Sequence, residues 1–319
     1  MRIAVIGAGG VGGYFGGRLA AAGEEVTFLC RGAHLRALQE HGLRVESIKG
    51  DFSVHPLRVT DRPEDLGTPD IILLCVKSFQ VPEVAPGLRG NIGPNTLVVP
   101  LQNSIEPLRV LPPILGEEHV VGGMCRIISF QAGPGIIRHV SAEPDVTFGR
   151  RDGQDEPRLE ALRAAFVRAG VSATLSRDIQ ATLWEKLVFV ATMGGLGAVT
   201  RAPIGVIREM PETRAMFERA MREVMAVAQA SGMRVAANIV EQYMTYIDAL
   251  TPTATSSMQR DIQEERVSEL LECNGAIVTQ ARRVGVSASI HEFIYSSLLP
   301  GELRRRRRLT FPGDTPPGG

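Results

Sequence analysis

Residues 2–17, RIAVIGAGGVGGYFGG, decide how the first half of this chain folds. "RIAVIG" is a short apolar run closed by glycine. A helical pattern follows from Val11 to Ala22 and stops at Gly23. Between them lies Gly7-x-Gly9-x-x-Gly12. Alone that spacing is a weak pattern, equally at home in a glycine-rich turn. Directly after a strand and opening a helix, it is strong. Gly7 permits a tight turn, Gly9 lets backbone approach a pyrophosphate, and Gly12 lets helix and strand pack closely. The helix start supplies N–H groups and a positive dipole end for phosphates. The stretch Gly7, Ala8, Gly9, Gly10, Val11 and Gly12 is therefore expected to bind a dinucleotide.

Working outward, "EVTFLC" (25–30) is a second strand. Where an NAD site would place an acid against the ribose hydroxyls, this chain has Arg31. A guanidinium suits a 2′-phosphate, so NADPH is the expected cofactor. A solvated loop cation would also leave an arginine there. "DIILLCVKS" (70–78) and "TLVVPLQN" (96–103) are continuous apolar runs, as in a parallel sheet covered on both faces by helices. Each ends in a polar residue, Lys77 and Asn103. In a doubly wound sheet such ends line one crevice. Singly these could be turn residues; together with the glycine turn and Arg31 they describe a cofactor site. Shorter strands are expected between residues 120 and 150, then a helix near 157–169 and a strand near 171–174.

After Ser176 strand signals mostly stop. Helical patterns cover about 178–193, 213–230, 236–249 and 258–283. The expected fold is an α/β Rossmann-type N-terminal domain (1–176), an all-α substrate and catalytic domain (177–305) closing over it, and a disordered tail (306–319). The arginine run at 304–308 is expected to be a frayed, solvated helix end; contact with RNA or a partner is the competing reading. The chain is 44% hydrophobic, with 35 basic and 35 acidic residues, so no global charge points to nucleic acid or an anionic membrane. No apolar run reaches the roughly 18 residues of a bilayer span. Four cysteines lie far apart without a CxxC pair, and a strand pattern begins at Arg2 with no room for a signal peptide. A reduced cytoplasmic protein without a metal site is expected. Its partners would be a small-molecule substrate and, at most, a second copy forming a homodimer.

"WEKLVFVATMGG" (184–195) poses a separate question. Lys186 heads an apolar run, and the residues three and four positions away are Thr182, Leu183, Phe189 and Val190, none of them acidic. Such a lysine either snorkels to water or is held inside for a purpose. A bound nicotinamide implies hydride transfer to a carbonyl, and a positioned acid must then protonate the oxygen. Lys186, on the first helix after the expected boundary, is the candidate. Glu264, Glu265, Glu269 and Glu272 all fall outside the neighbouring apolar stripe, and the residues alone do not choose among them.

The glycine turn, "CRG" (30–32), "CVKS" (75–78), "LQN" (101–103), "WEKL" (184–187), "TSSMQRDI" (255–262) and "RVSELLECNG" (266–275) resemble, in order and spacing, the ketopantoate reductases. The resemblance spans about residues 1–295. It implies Lys186 as general acid, Glu269 as the partner of the substrate hydroxyl, and Ser257 as a holder of the substrate carboxylate. It also implies cofactor or substrate contacts from Lys77 and Asn103. Better-studied members carry asparagine where this chain has Val190 and Gly194, often glycine where it has Ser104, and an acid where it has Leu271. The expected activity is NADPH-dependent reduction of ketopantoate to pantoate in pantothenate synthesis. The competing expectations are reduction of another 2-oxo acid on the same fold, or NADPH binding without turnover.

Overall fold

The computed structural model describes residues 1–141 and 143–314. The chain divides into two compact units. The first comprises Met1–Gln102 and Glu106–Gln180; the second comprises Asn103–Ile105 and the chain from Ala181 onward. The division falls inside one helix, Ile179–Thr200.

In the first unit, strands β1 (Arg2–Ile6), β2 (Glu25–Leu29), β3 (Leu43–Ser47), β4 (Phe52–Val54), β5 (Arg58–Thr60), β6 (Ile71–Leu74), β7 (Leu97–Pro100), β8 (Gly122–Arg126), β9 (Ser129–Gly133), β10 (Ile136–His139), β11 (Asp145–Gly149) and β12 (Ser172–Leu175) form three sheets. The main sheet has the order β5-β2-β1-β6-β7 and every pairing in it is parallel. Its strands alternate between two apolar layers, as the two-residue side-chain period requires. Ile3, Val5, Val26, Phe28, Leu73 and Val99 face one core, with Phe15 and Leu19 from the helix Gly10–Ala21. Ala4, Ile6, Ile72, Leu74 and Val98 face the other, with Val81, Leu88, Leu111 and Leu115 from short helical turns. Both faces are thus covered, as the unbroken apolar runs imply.

Strands β3–β5 and the helix Gly32–His41 carry no apolar run long enough to be read from the sequence. Strands β4-β3-β10-β9 make a second, mixed sheet. It lies across the helix Gly10–Ala21 from the main sheet, and that helix is thin enough to be sandwiched. A Cβ on Gly16 would stand 2.7 Å from the Phe28 ring, and one on Gly13 would stand 2.6 Å from the Ile137 side chain. The third sheet, β12-β11-β8, continues from β7 through a bridge between Val98 and Val120.

The second unit is helical: Ile204–Glu209, Pro211–Ala230, Ile239–Ala249, Ser257–Gln263, Ala276–Val284 and Ser289–Arg305 surround most of Ile179–Thr200. The single helix expected over 258–283 does not form. It ends at Gln263, passes through Glu265 in a left-handed conformation (φ 55°), and resumes as a π-turn, Leu271–Gly275, leading into Ala276–Val284. Glu and Arg are good helix formers, so propensity hid the break. Side chains decide it: Arg266 binds Asp261 through Nε (3.0 Å) and Nη2 (2.8 Å), while the Ser268 N–H and hydroxyl both donate to Glu302.

The arginine run is not a solvated helix end throughout. Arg306 is half-buried and bonded to Glu272 and Glu302, and residues through Asp314 are described; residues 315–319 of the expected tail lie outside the described part. No described helix is long and apolar enough to cross a membrane, and no group of three or more His, Cys, Asp or Glu among the described residues could hold a metal ion.

Candidate functional site

The register of the main sheet places the ends of β1, β2, β6 and β7 side by side. Ile6 pairs with Leu29 and Leu74, and Leu74 pairs with Pro100. Gly7 therefore emerges beside Cys30–Arg31 on one side and Cys75–Lys77 on the other. Strand order reverses at β1, so this is the switch point where open α/β sheets bind ligands. Gly7 makes the turn at φ 96°, which a side chain would strain. A Cβ on Gly12 would stand 2.0 Å from the Gly7 carbonyl oxygen, so only glycine lets the helix begin this close to the strand. Gly9 precedes the first helical residue with no side-chain cap, and a Cβ there would meet nothing within 4 Å. The first N–H groups of a helix lack intrahelical partners, and Gly9 leaves open space just before them. That fits a pyrophosphate. Ala8 is buried, Gly10 packs on the β9 backbone, and Val11 is half-buried.

Two residues that the sequence reading passed over hold this edge. His34 is buried; its Nε2 lies 2.8 Å from the Ala8 carbonyl and its Nδ1 accepts the Gly135 N–H at 3.0 Å. These bonds require the neutral ring protonated on Nε2, and burial lowers its pKa despite the Ala8 bond. Gln102 donates from Nε2 to the Leu74 and Val76 carbonyls at 2.7 and 2.9 Å, tying β7 to the segment that leads into Lys77. A histidine within a loop-to-helix segment and a glutamine beside "LQN" gave no periodic signal. Arg31, two residues past β2, has its side chain 69% exposed and an ion pair to Glu83 at 3.7 Å. Such an exposed pair is worth little and leaves the guanidinium available to a stronger anion. Cys30 and Cys75 beside the turn are inert as thiolates. Burial and, less, Asp61 push Cys30 up to about 11, and burial raises Cys75 well above its usual value.

Asn103 follows β7 by three residues but packs with the second unit. The Cys273 thiol donates to its carbonyl at 3.0 Å, and the Ser104 hydroxyl donates to the Glu272 carbonyl at 2.6 Å. In that unit Lys186 is only 6% exposed and Glu269 4%. A buried ammonium and a buried carboxylate are costly to keep charged and are retained where they have work to do. Ser257 opens the helix Ser257–Gln263, whose N-cap is Ser256 accepting from Gln259 N–H at 3.0 Å.

The helix that carries Lys186 gathers the other two segments. Met258 fills the space beside Gly194, its Cε 2.8 Å from where a Cβ would be, and Gln259 fills the space beside Gly197. Asn274, from the π-turn after Glu269, donates from Nδ2 to the Ala191 carbonyl at 3.2 Å and lies 3.0 Å from His291 Nδ1. Small residues on one helix thus admit the segments bearing Ser257 and Glu269.

The first unit is a Rossmann-type domain with an open glycine turn at its switch point, followed by a helical unit with a buried lysine and glutamate. Residues 3–153 match the family described as Ketopantoate reductase PanE/ApbA, and residues 178–300 match its C-terminal part. A 2-dehydropantoate 2-reductase from Halobacterium salinarum is 30% identical over 283 residues, 88% of this chain and 92% of its own. The crystal structure of a 2-dehydropantoate 2-reductase from Geobacter metallireducens superposes with a TM-score of 0.88 at 30% identity, covering 94% of this chain and 99% of the other. The chain belongs to the ketopantoate reductase family of oxidoreductases. Its fold is also similar to that of D-mandelate dehydrogenase solved with NADH and anilino(oxo)acetate, with a TM-score of 0.88 at 21% identity over 96% of this chain and 99% of that one.

Proposed function

We propose that the chain is an NADPH-dependent reductase that converts ketopantoate to pantoate in pantothenate synthesis, in the cytoplasm. The observation that supports this reading is the burial of Lys186 and Glu269 in the helical unit, where Met258 and Asn274, from the segments that carry Ser257 and Glu269, pack on the helix that carries Lys186. The glycine turn and Lys77 would hold the cofactor, and Arg31 its 2′-phosphate. Asn103 would serve cofactor or substrate. Bound NADPH supplies the hydride that reduces the ketone carbon. The Lys186 ammonium hydrogen-bonds the ketone oxygen and donates its proton as negative charge develops there. Ser257 holds the carboxylate and Glu269 accepts a hydrogen bond from the hydroxyl.

A site built to bond a hydroxyl discriminates against analogues that lack it, because its own polar group is left unpaired. The test is kcat/KM for ketopantoate against 2-oxoisovalerate, in the native chain and in Glu269→Ala. The native chain should prefer ketopantoate, and Glu269→Ala should lose most of that preference. One observation favours a second reading, a 2-oxo acid with a more apolar side chain. Val190 and Gly194 replace two amides, Met258 occupies the space beside Gly194, and Phe189 stacks on Tyr243 at 5.0 Å. A native ratio near one, or in favour of 2-oxoisovalerate, rules out ketopantoate and selects this alternative.

A further inference from the structure

We propose that Arg306 and Glu302, at the end of the last helix, are positioning residues that set the segment presenting Glu269. The inference rests on the reading of Glu269 as a substrate contact.

Residues on both sides of Glu269 are held by the same two side chains. Before it, Ser268 is fully buried and all three of its polar groups are engaged. Its N–H donates to Glu302 Oε1 at 3.1 Å, its hydroxyl donates to Oε2 at 2.7 Å, and its carbonyl accepts from Arg306 Nη2 at 2.8 Å. After it, the Glu272 carboxylate takes both ends of the Arg306 fork, Nη1 and Nη2, each at 2.8 Å. The fork is closed by Nε donating to Glu302 Oε1 at 2.7 Å. Glu302 is completely buried and the Arg306 side chain 10% exposed. A planar guanidinium gripping a carboxylate at two points fixes orientation as well as distance.

The grip matters because the backbone here is irregular. The chain leaves the left-handed turn at Glu265 and enters a π-turn in which Cys273 N–H bonds the Glu269 carbonyl at 2.9 Å and Gly275 N–H bonds the Leu270 carbonyl at 3.0 Å. A regular helix would place Glu269 by its own ladder. A π-turn entered from a loop does not, and such turns recur at functional sites. The orientation of Glu269 therefore depends on residues outside its own segment. That gives the middle of the arginine run an intramolecular role at the site, quite unlike a solvated terminus.

Removing one member of a buried ion pair strands the other and can prevent folding. Arg306→Lys keeps the charge and loses the fork, and Arg306→Met/Glu302→Gln/Glu272→Gln removes together the cation and both carboxylates that bind it. Circular dichroism and thermal melting report folding of each. In the folded variants we expect kcat/KM for ketopantoate to fall by about 10- to 100-fold, since misplacement of about an ångström can cost that much. The value for 2-oxoisovalerate and the Kd for NADPH should change little. Combined with Glu269→Ala, the same substitutions should add almost nothing, because they act through that carboxylate. Equal losses on both substrates, or full additivity with Glu269→Ala, would show a role in stability alone and overturn the proposal. So would native discrimination in folded Arg306→Lys, or neither variant folding while Arg306→Ala folds and discriminates normally. If Glu269→Ala itself leaves the substrate ratio unchanged, the functional reading has failed and this inference falls with it.

Discussion

The glycine edge of the first unit and the lysine helix of the second both use glycine to bring groups close, but to opposite ends. At Gly7–Gly12 the absent side chains let backbone meet backbone at Gly10 and Gly12 and leave open space at Gly9, so the turn itself is the proposed binding surface. At Gly194–Gly197 the absent side chains are filled from elsewhere, by Met258, Gln259 and Asn274, and the space they vacate is used to dock other segments. A backbone site is written in a few consecutive residues. A side-chain site must be assembled from distant ones, and so depends on packing that no short motif contains.

The contrast can be broken most severely at Lys186. Lys186→Ala should lower kcat by roughly 10²–10⁴, the usual range for a general acid, while the Kd for NADPH stays near native. Steady-state turnover and a direct cofactor titration separate the two. Near-normal turnover would return Lys186 to a merely buried stem and leave the second unit without an acid.

A smaller effect is expected at the first unit. NADPH should bind more tightly than NADH, and Arg31→Ala should erase most of that preference. One charge-assisted phosphate contact contributes roughly 1.5–3 kcal/mol, or about one to two decades in affinity. The exposed Glu83 beside Arg31 places the outcome toward the lower end. Equal affinities in the native chain would contradict the NADPH assignment.

The smallest effect compares the histidines that brace the two regions. His34 holds the glycine turn, and His291 lies between Asn274 and the Ala220 carbonyl. Burial lowers the pKa of both below 6.5, against weaker raising contributions from Ala8, and from Ala220 and Glu223. Between each lowered value and about 6.5, the unfolded chain binds a proton that the folded chain does not. Stability is therefore complete above pH ~6.5 and is lost as pH falls toward the folded values, by at most about 1.4 kcal/mol per pH unit for each histidine. Denaturant midpoints between pH 8 and pH 5 should show this decline, and His291→Gln should flatten it.

Much of the fold was legible because parallel strands buried on both faces must be continuously apolar, and β1, β6 and β7 were read on that basis. The break in the 258–283 helix was not, because the residues that impose it, Asp261, Arg266, Ser268 and Glu302, act across loops rather than along a period. At the candidate site, the glycine turn and Arg31 are proposed from their positions alone. Lys186 was suspected from an apolar face, while Glu269 could not be told from three neighbouring glutamates without the resemblance.

By itself the sequence determined the glycine turn between strand and helix, the parallel sheet and the helical second half, since these depend on local spacing, propensity and burial period. Only the tertiary structure decided that His34 and Gln102 hold the glycine edge, that Asn103 packs with the helical unit, and that Arg306 reaches back to grip the residues around Glu269. The physical reason is range. Backbone turns are set by steric limits on neighbouring residues, whereas a buried hydrogen bond or ion pair needs its partner delivered by the packing of the rest of the chain.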